Sequence, residues 1–183
     1  MIKQISVLVS IVVSILLFSG CDNYLLRKRM RRMISHSISL PDSLVKLYDG
    51  KKSYSSFSQT NNSTFIVFID STECGSCRAT KMMRYCDLFK YQRERINTVI
   101  MFSPSKKQSF SLETALLNRR YPFPVYIDEK NLFIKKNPFI PEDPRFRCFL
   151  IDTNGVVLFV GDPTSSRELQ LLFEQVVYKK SVL

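Results

Sequence analysis

Cys74-Gly75-Ser76-Cys77 places two thiols within reach of each other. A pair at this spacing can cycle between dithiol and disulfide, moving two electrons by thiol–disulfide exchange. The species that attacks a disulfide sulfur is the thiolate, so the surroundings of the first cysteine decide its chemistry. Directly before the motif, Thr64-Phe65-Ile66-Val67-Phe68-Ile69 is a continuous apolar, β-rich run, as expected of a strand buried on both faces. After it, Ala79, Met82, Met83, Cys86 and Phe89 recur at helical spacing, predicting an amphipathic helix that ends near Arg95. Cys74 is thus expected at a helix N-terminus, where unsatisfied N–H groups and the helix dipole favour a thiolate. Cys77, one turn further on, is placed to resolve a mixed disulfide, and Gly75 and Ser76 keep the intervening turn small. Glu73 acts in the opposite sense, because an acid beside Cys74 opposes thiolate formation, though weakly if solvated.

Other uses of these cysteines are a structural disulfide, inert thiols or a metal site. The strand–CxxC–helix placement favours redox chemistry. A metal needs more ligands, and His36 is the single histidine, far from the motif. Zinc would require Cys86 and Cys148 to converge with the pair. Both read instead as small buried hydrophobes, on a helix face and within a strand. No Pro-x-x-x-Thr-x-x-Cys pattern supports peroxidase chemistry. No metal or cofactor is therefore expected.

The elements around the motif can be read in outline. Ile38 to Phe57 predicts a small hairpin or extended lead-in, with a turn at Asp49-Gly50. Beyond the motif helix come a strand near 98–102, a helix near 109–118, a short strand over 124–127 and an Asp128-Glu129 turn. Phe146 to Ile151 predicts a strand, Asp152-Thr153-Asn154-Gly155 a turn, and Val156 to Val160 the second arm of a hairpin. A last helix is expected from Ser165, whose spacing to Glu168 suits a capping box.

The N-terminus reads as an address. Ile5 to Phe18 is a fourteen-residue apolar run broken only by serines. That is short for a membrane span, which needs about 20 residues, and fits a signal-peptide core. Leu17-Phe18-Ser19-Gly20-Cys21 follows and resembles a bacterial lipobox, whose cysteine is lipidated and becomes the mature N-terminus. The alternative is an uncleaved signal anchor, which the positive-inside rule would orient with the following basic run in the cytoplasm. That run, Arg27 to Arg32, holds five of the 27 basic residues. Beside a bilayer it would face anionic lipid with about 1 kcal/mol per charge.

Residues Phe65 to Leu88 resemble the active-site strand and helix of thioredoxins. Phe149-Leu150-Ile151-Asp152 through Gly155, with Val160-Gly161-Asp162-Pro163, resembles the closing hairpin of membrane-anchored thioredoxin-like reductases. Tyr121 to Asp128 resembles the extra strand of that branch. The likeness, to thioredoxin-like lipoproteins of Gram-negative envelopes, spans about residues 38–177. It implies an α/β thioredoxin-like fold: a central mixed sheet flanked by helices, a closing β-hairpin and a C-terminal helix. It also implies a nucleophilic Cys74 and a resolving Cys77. Three positions depart from the family. Glu73 stands where a tryptophan is usual, Phe68 where a buried acid is common, and Phe146 where the family has a cis-proline.

The expected organisation is a lipoprotein signal peptide over 1–20, a lipidated basic tether over 21–37 and a thioredoxin-like domain over 38–183. Composition agrees with a globular domain, at 45% hydrophobic and 23% charged residues. Net charge is +11, but no nucleic-acid motif accompanies it, so nucleic acid is not an expected partner. The expected function is a cell-envelope thiol-disulfide oxidoreductase acting on protein thiols or disulfides, narrow in substrate. The other possibility is a thioredoxin-fold binding or scaffold lipoprotein with a vestigial CxxC.

Overall fold

The structure, a computed structural model, describes residues 24–34, 36–55, 62–72, 82–88, 90, 95–119 and 121–180. Among them, seven strands form one sheet: β1 (Leu44–Tyr48), β2 (Lys51–Ser55), β3 (Ser63–Asp70), β4 (Ile96–Ser103), β5 (Val125–Ile127), β6 (Cys148–Ile151) and β7 (Val157–Val160). Their spatial order is β2-β1-β5-β4-β3-β6-β7. The helical segments are α1 (residues 24–34), α2 (residues 82–88), α3 (Lys106–Leu117), α4 (Leu132–Lys136) and α5 (Arg167–Lys180).

The apolar run before the CxxC is β3, and Thr64 to Ile69 are all buried. It pairs in parallel with β4 and antiparallel with β6. Its side chains alternate between two cores, as a period of two demands. Phe65, Val67 and Ile69 point to one face, where Met82 and Tyr85 of α2, Leu116 of α3 and Phe173 and Val177 of α5 cover them. Ile66 and Phe68 point to the other, under Met33 of α1, Phe133 of α4, Ile140 and Phe146. The parallel pairings β3–β4 and β4–β5 require crossovers, and α2 and α3 lie in those two connections.

The lead-in is the hairpin β1–β2. Asp49 and Gly50 both take positive φ, 49° and 69°, as a two-residue type I′ turn needs. The hairpin β6–β7 closes the other edge, with Gly155 at φ 81°.

Four local expectations change. Phe146 is not in a strand: Asp143, Pro144 and the following residues form a 3-10 turn over Pro144–Phe146, and β6 begins at Cys148. Asp143 at the cap accepts the Arg145 N–H, and Pro144 brings a preset φ to the first position. Second, α3 starts at Lys106, because Ser105 and Gln108 make the capping box. Third, the serine bonded to the first turn of α5 is Ser166, whose Oγ accepts the Leu169 N–H at 3.2 Å; Ser165 Oγ donates instead to the Asp162 carbonyl. Fourth, the basic segment read as a tether is helical over 24–34, and Leu26, Met30 and Met33 pack it onto the domain. Among the described residues no helix is long and apolar enough to cross a membrane.

Candidate redox site

Cys21, Glu73, Cys74 and Cys77 lie outside the described residues, as do Gly75 and Ser76. The described residues nearest the motif are 62–72 before it and 82–88 after it. On one side β3 runs to Asp70, followed by Ser71 and Thr72; on the other is α2.

Asp70 closes the strand and starts the loop. Its carboxylate accepts the Thr72 N–H at 2.8 Å and also the Thr72 hydroxyl. Its other oxygen is in an ion pair with Nη1 of Arg147. Burial alone would raise the Asp70 pKa, but the Thr72 donors and the Arg147 guanidinium outweigh it and hold the carboxyl below the usual aspartate range. Arg147 reaches two segments at once, β3 and the chain at Glu142. Its Nη2 donates to the Glu142 carbonyl at 3.0 Å, its guanidinium lies 5.8 Å from the Phe68 ring centre, and its own carbonyl accepts the Phe68 N–H at 2.8 Å. The Thr72 hydrogen bonds make Asp70 a strand-end cap.

Phe146 precedes Arg147 and is 1% exposed, its ring within the cluster of Phe68, Phe133 and Phe149. Among the described residues no peptide bond is cis, the one before Phe146 included. Beside the end of β3, then, Arg147 holds the polar contacts and the Phe146 ring faces the core.

Beneath α2 lies a buried polar group that sequence reasoning missed. Tyr85 is fully buried, and its hydroxyl is 3.3 Å from Cys148 Sγ. Burial raises the Tyr85 pKa far above its ordinary value, with Cys148 and Asp162 adding to the effect. The ring packs against Phe65, with centroids 6.0 Å apart. Asp162 also accepts the Thr164 N–H and hydroxyl, which fixes the turn between β7 and α5. Cys148 is buried in β6 and Cys86 is half-buried against the same core. A signal for Arg147 existed: a charged residue at the mouth of an apolar strand needs a partner. Nothing local named Asp70, 77 positions earlier in the chain.

A groove of about 490 Å³, lined by Ile38, Asp42, Thr64, Lys136 and Asp152 among others, opens at the start of β3, away from Asp70.

The sequence matches no protein-family model, and no curated protein matches it. Solved structures do match. One is assigned as the thiol:disulfide interchange protein DsbE of Chlorobium tepidum, with TM-score 0.53 and 19% identity over 78% of this chain and 98% of that one. The mitochondrial 2-Cys peroxiredoxin of Plasmodium falciparum gives TM-score 0.55 and 13% identity, covering 81% and 94%. The exposed lipoprotein thioredoxin Etrx1 of Streptococcus pneumoniae gives TM-score 0.51 and 14% identity, covering 73% and 97%. At these identities the likeness is one of fold, and the fold of this chain is thioredoxin-like.

Proposed function

We propose that this chain is a thiol-disulfide oxidoreductase of the cell envelope, narrow in substrate, with Cys74 as nucleophile and Cys77 as resolving thiol. The observation that carries the reading is the position of the motif in a thioredoxin-like fold. Cys74-Gly75-Ser76-Cys77 falls between the buried central strand β3 and α2. In the reducing direction the Cys74 thiolate attacks one sulfur of a substrate disulfide. The Cys74–substrate bond forms, the substrate S–S bond breaks, and the leaving sulfur takes a proton. The Cys77 thiolate then attacks Cys74 sulfur, a Cys74–Cys77 disulfide forms, and the substrate departs with two thiols. Two electrons have moved to the substrate, and a dithiol donor must reduce the pair again.

The address at the N-terminus is part of the same reading: acylation of Cys21 holds the protein at an envelope membrane. Similarity in fold to an exposed lipoprotein thioredoxin is consistent with it. Glu73 raises the cost of the Cys74 thiolate and so tunes its reactivity.

The decisive experiment is the reduction potential of the Cys74–Cys77 pair, titrated against glutathione or dithiothreitol. A potential above about −300 mV marks a working pair. A value below that makes the disulfide structural and favours the binding-module reading.

A further inference from the structure

α1 carries two opposed faces. Leu26, Met30 and Met33, spaced i, i+4, i+7, turn inward to the core that also holds Phe133 and Phe146. Arg27, Lys28, Arg31 and Arg32 are exposed, as are Tyr24, Leu25 and Ile34. On a helical wheel Lys28 and Arg31 stand directly opposite the buried stripe. The exposed side is therefore mainly cationic, with Tyr24 at the anchor end of the Lys28–Arg31 stripe and Leu25 and Ile34 at its margins.

The helix is fastened at its far end. The His36 N–H donates to the Met33 carbonyl at 3.1 Å, and its ring stacks on Phe139 at 4.5 Å. Ser37 bridges to Val156, and the Ile38 N–H donates to the Gly155 carbonyl at 2.8 Å. On the inner flank, Arg29 adds a favourable charge toward Asp143. The basic face thus moves with the domain. It also begins at Tyr24, six positions beyond the end of the apolar run at Phe18.

We propose that the outward face of α1 lies on an anionic bilayer surface and holds the domain in one orientation to the membrane. The occupant follows from charge and connection. A row of cations on a helix about 16 Å long suits a plane of anionic headgroups. The apolar run that precedes it suits a membrane whether Cys21 is acylated or the segment remains as an anchor. Because the face lacks an apolar stripe, contact is electrostatic and sensitive to salt rather than inserted. The proposal shares with the function above only its location at a membrane and needs no working Cys74–Cys77 pair.

The chain has no tryptophan, so a single introduced indole reports its own surroundings. Ile34→Trp places one at the end of α1 distant from the anchor. Tyr178→Trp places one on α5, across the sheet. Each full-length protein is reconstituted into vesicles of phosphatidylcholine that include a headgroup nitroxide-labelled lipid as quencher, with or without phosphatidylglycerol. The expected result is loss of emission for Ile34→Trp only when phosphatidylglycerol is present. Emission should return at about 1 M salt, where the screening length is roughly 3 Å. It should also return when Lys28→Glu and Arg31→Glu are added, and Tyr178→Trp should stay bright throughout. Equal quenching without the anionic lipid, or no quenching at Ile34→Trp in either vesicle, overturns the proposal. Equal quenching of both indoles overturns the single orientation. A short DNA duplex that shifts the Ile34→Trp emission when anionic vesicles do not would assign the face to nucleic acid instead. A redox-inactive pair with the expected quenching removes the enzyme reading and leaves this one standing.

Discussion

Asp70 and Arg147 form an ion pair of intermediate exposure, with side chains 20% and 12% accessible. Such a pair lies between an exposed bridge, worth under about 1 kcal/mol, and a buried one, whose rupture costs about 3–5 kcal/mol. Arg147→Ala is therefore expected to cost roughly 1–3 kcal/mol by urea denaturation. The pH dependence has a definite sign. The folded carboxyl of Asp70 titrates below its unfolded value, so the folded state binds fewer protons, and the contribution is complete above about pH 4. It is lost as pH falls through the lowered folded value. Arg147→Ala should accordingly show a shallower acid decline than the parent between about pH 4 and pH 2. An identical slope would mean that Arg147 does not hold the Asp70 charge. Tyr85 shifts in the other direction: its phenol stays protonated while the fold lasts, and its contribution fades only as pH rises beyond the ordinary tyrosine range of about 10. Tyr85→Phe should cost about 0.5–1.5 kcal/mol at neutral pH, since it removes the hydroxyl that meets Cys148. An unchanged thermal midpoint would show that this contact contributes nothing.

Elements differ in how far the chain alone discloses them. β3 could be read because burial on both faces leaves an unbroken apolar run, and β6–β7 because Asp152 to Gly155 is turn-forming in itself. Asp49-Gly50 was legible for the same local reason. The docking of α1 was not: Leu26, Met30 and Met33 are only three apolar residues among five cations, and the composition masks the stripe. The 3-10 turn over Pro144–Phe146 was also hidden, since Phe146-Arg147-Cys148 continues smoothly into an apolar strand and only the Asp143 cap breaks it. The Asp70–Arg147 pair required the β3–β6 register, a long-range fact with no local trace. Phe146→Pro, attractive from sequence as a restoration of the family's proline, is consequently a core substitution. It removes a buried ring, at about 3–5 kcal/mol for a change of this size, and the N–H bonded to the Asp143 carbonyl at 3.0 Å. Gly155 provides a cleaner test of an element. Its φ of 81° is left-handed, and a Cβ there would stand 2.9 Å from the Ile38 carbonyl oxygen. Gly155→Ala should cost at least about 1–2 kcal/mol and speed exchange of the Ile38 amide, which donates to Gly155. If the Ile38 amide exchanges no faster, the segment joining α1 to the domain is held by other contacts.

At the scale of the whole molecule, the question is which proteins a thioredoxin-like fold with this surface can serve. In the family that the sequence resembles, a substrate peptide docks like an added strand on the loop before β6, which needs backbone groups turned outward. Here that loop spends them on itself. The Phe146 N–H donates to the Asp143 carbonyl at 3.0 Å and the Arg147 N–H to the Pro144 carbonyl at 3.2 Å. The Arg147 carbonyl accepts the Phe68 N–H, and the Arg145 N–H is taken by the Asp143 side chain. The Arg147 side chain adds its bonds to Glu142 and Asp70, so opening the loop for a peptide breaks contacts both within the loop and to β3. A general substrate would forgo two or so backbone hydrogen bonds, each worth about 0.5–1.5 kcal/mol. At about 1.4 kcal/mol per factor of ten, that is a rate deficit of roughly five- to a hundredfold. Insulin reduction, followed by turbidity at equal concentrations beside an ordinary thioredoxin, should therefore be slow by at least about that lower bound. Cys77→Ser should meanwhile trap a small set of mixed disulfides through Cys74 in the envelope fraction, because a partner that docks by its side chains bypasses the closed loop. Insulin reduction at a rate comparable to thioredoxin's would show that the loop before β6 does not restrict access, and the narrow-substrate reading would fall with it.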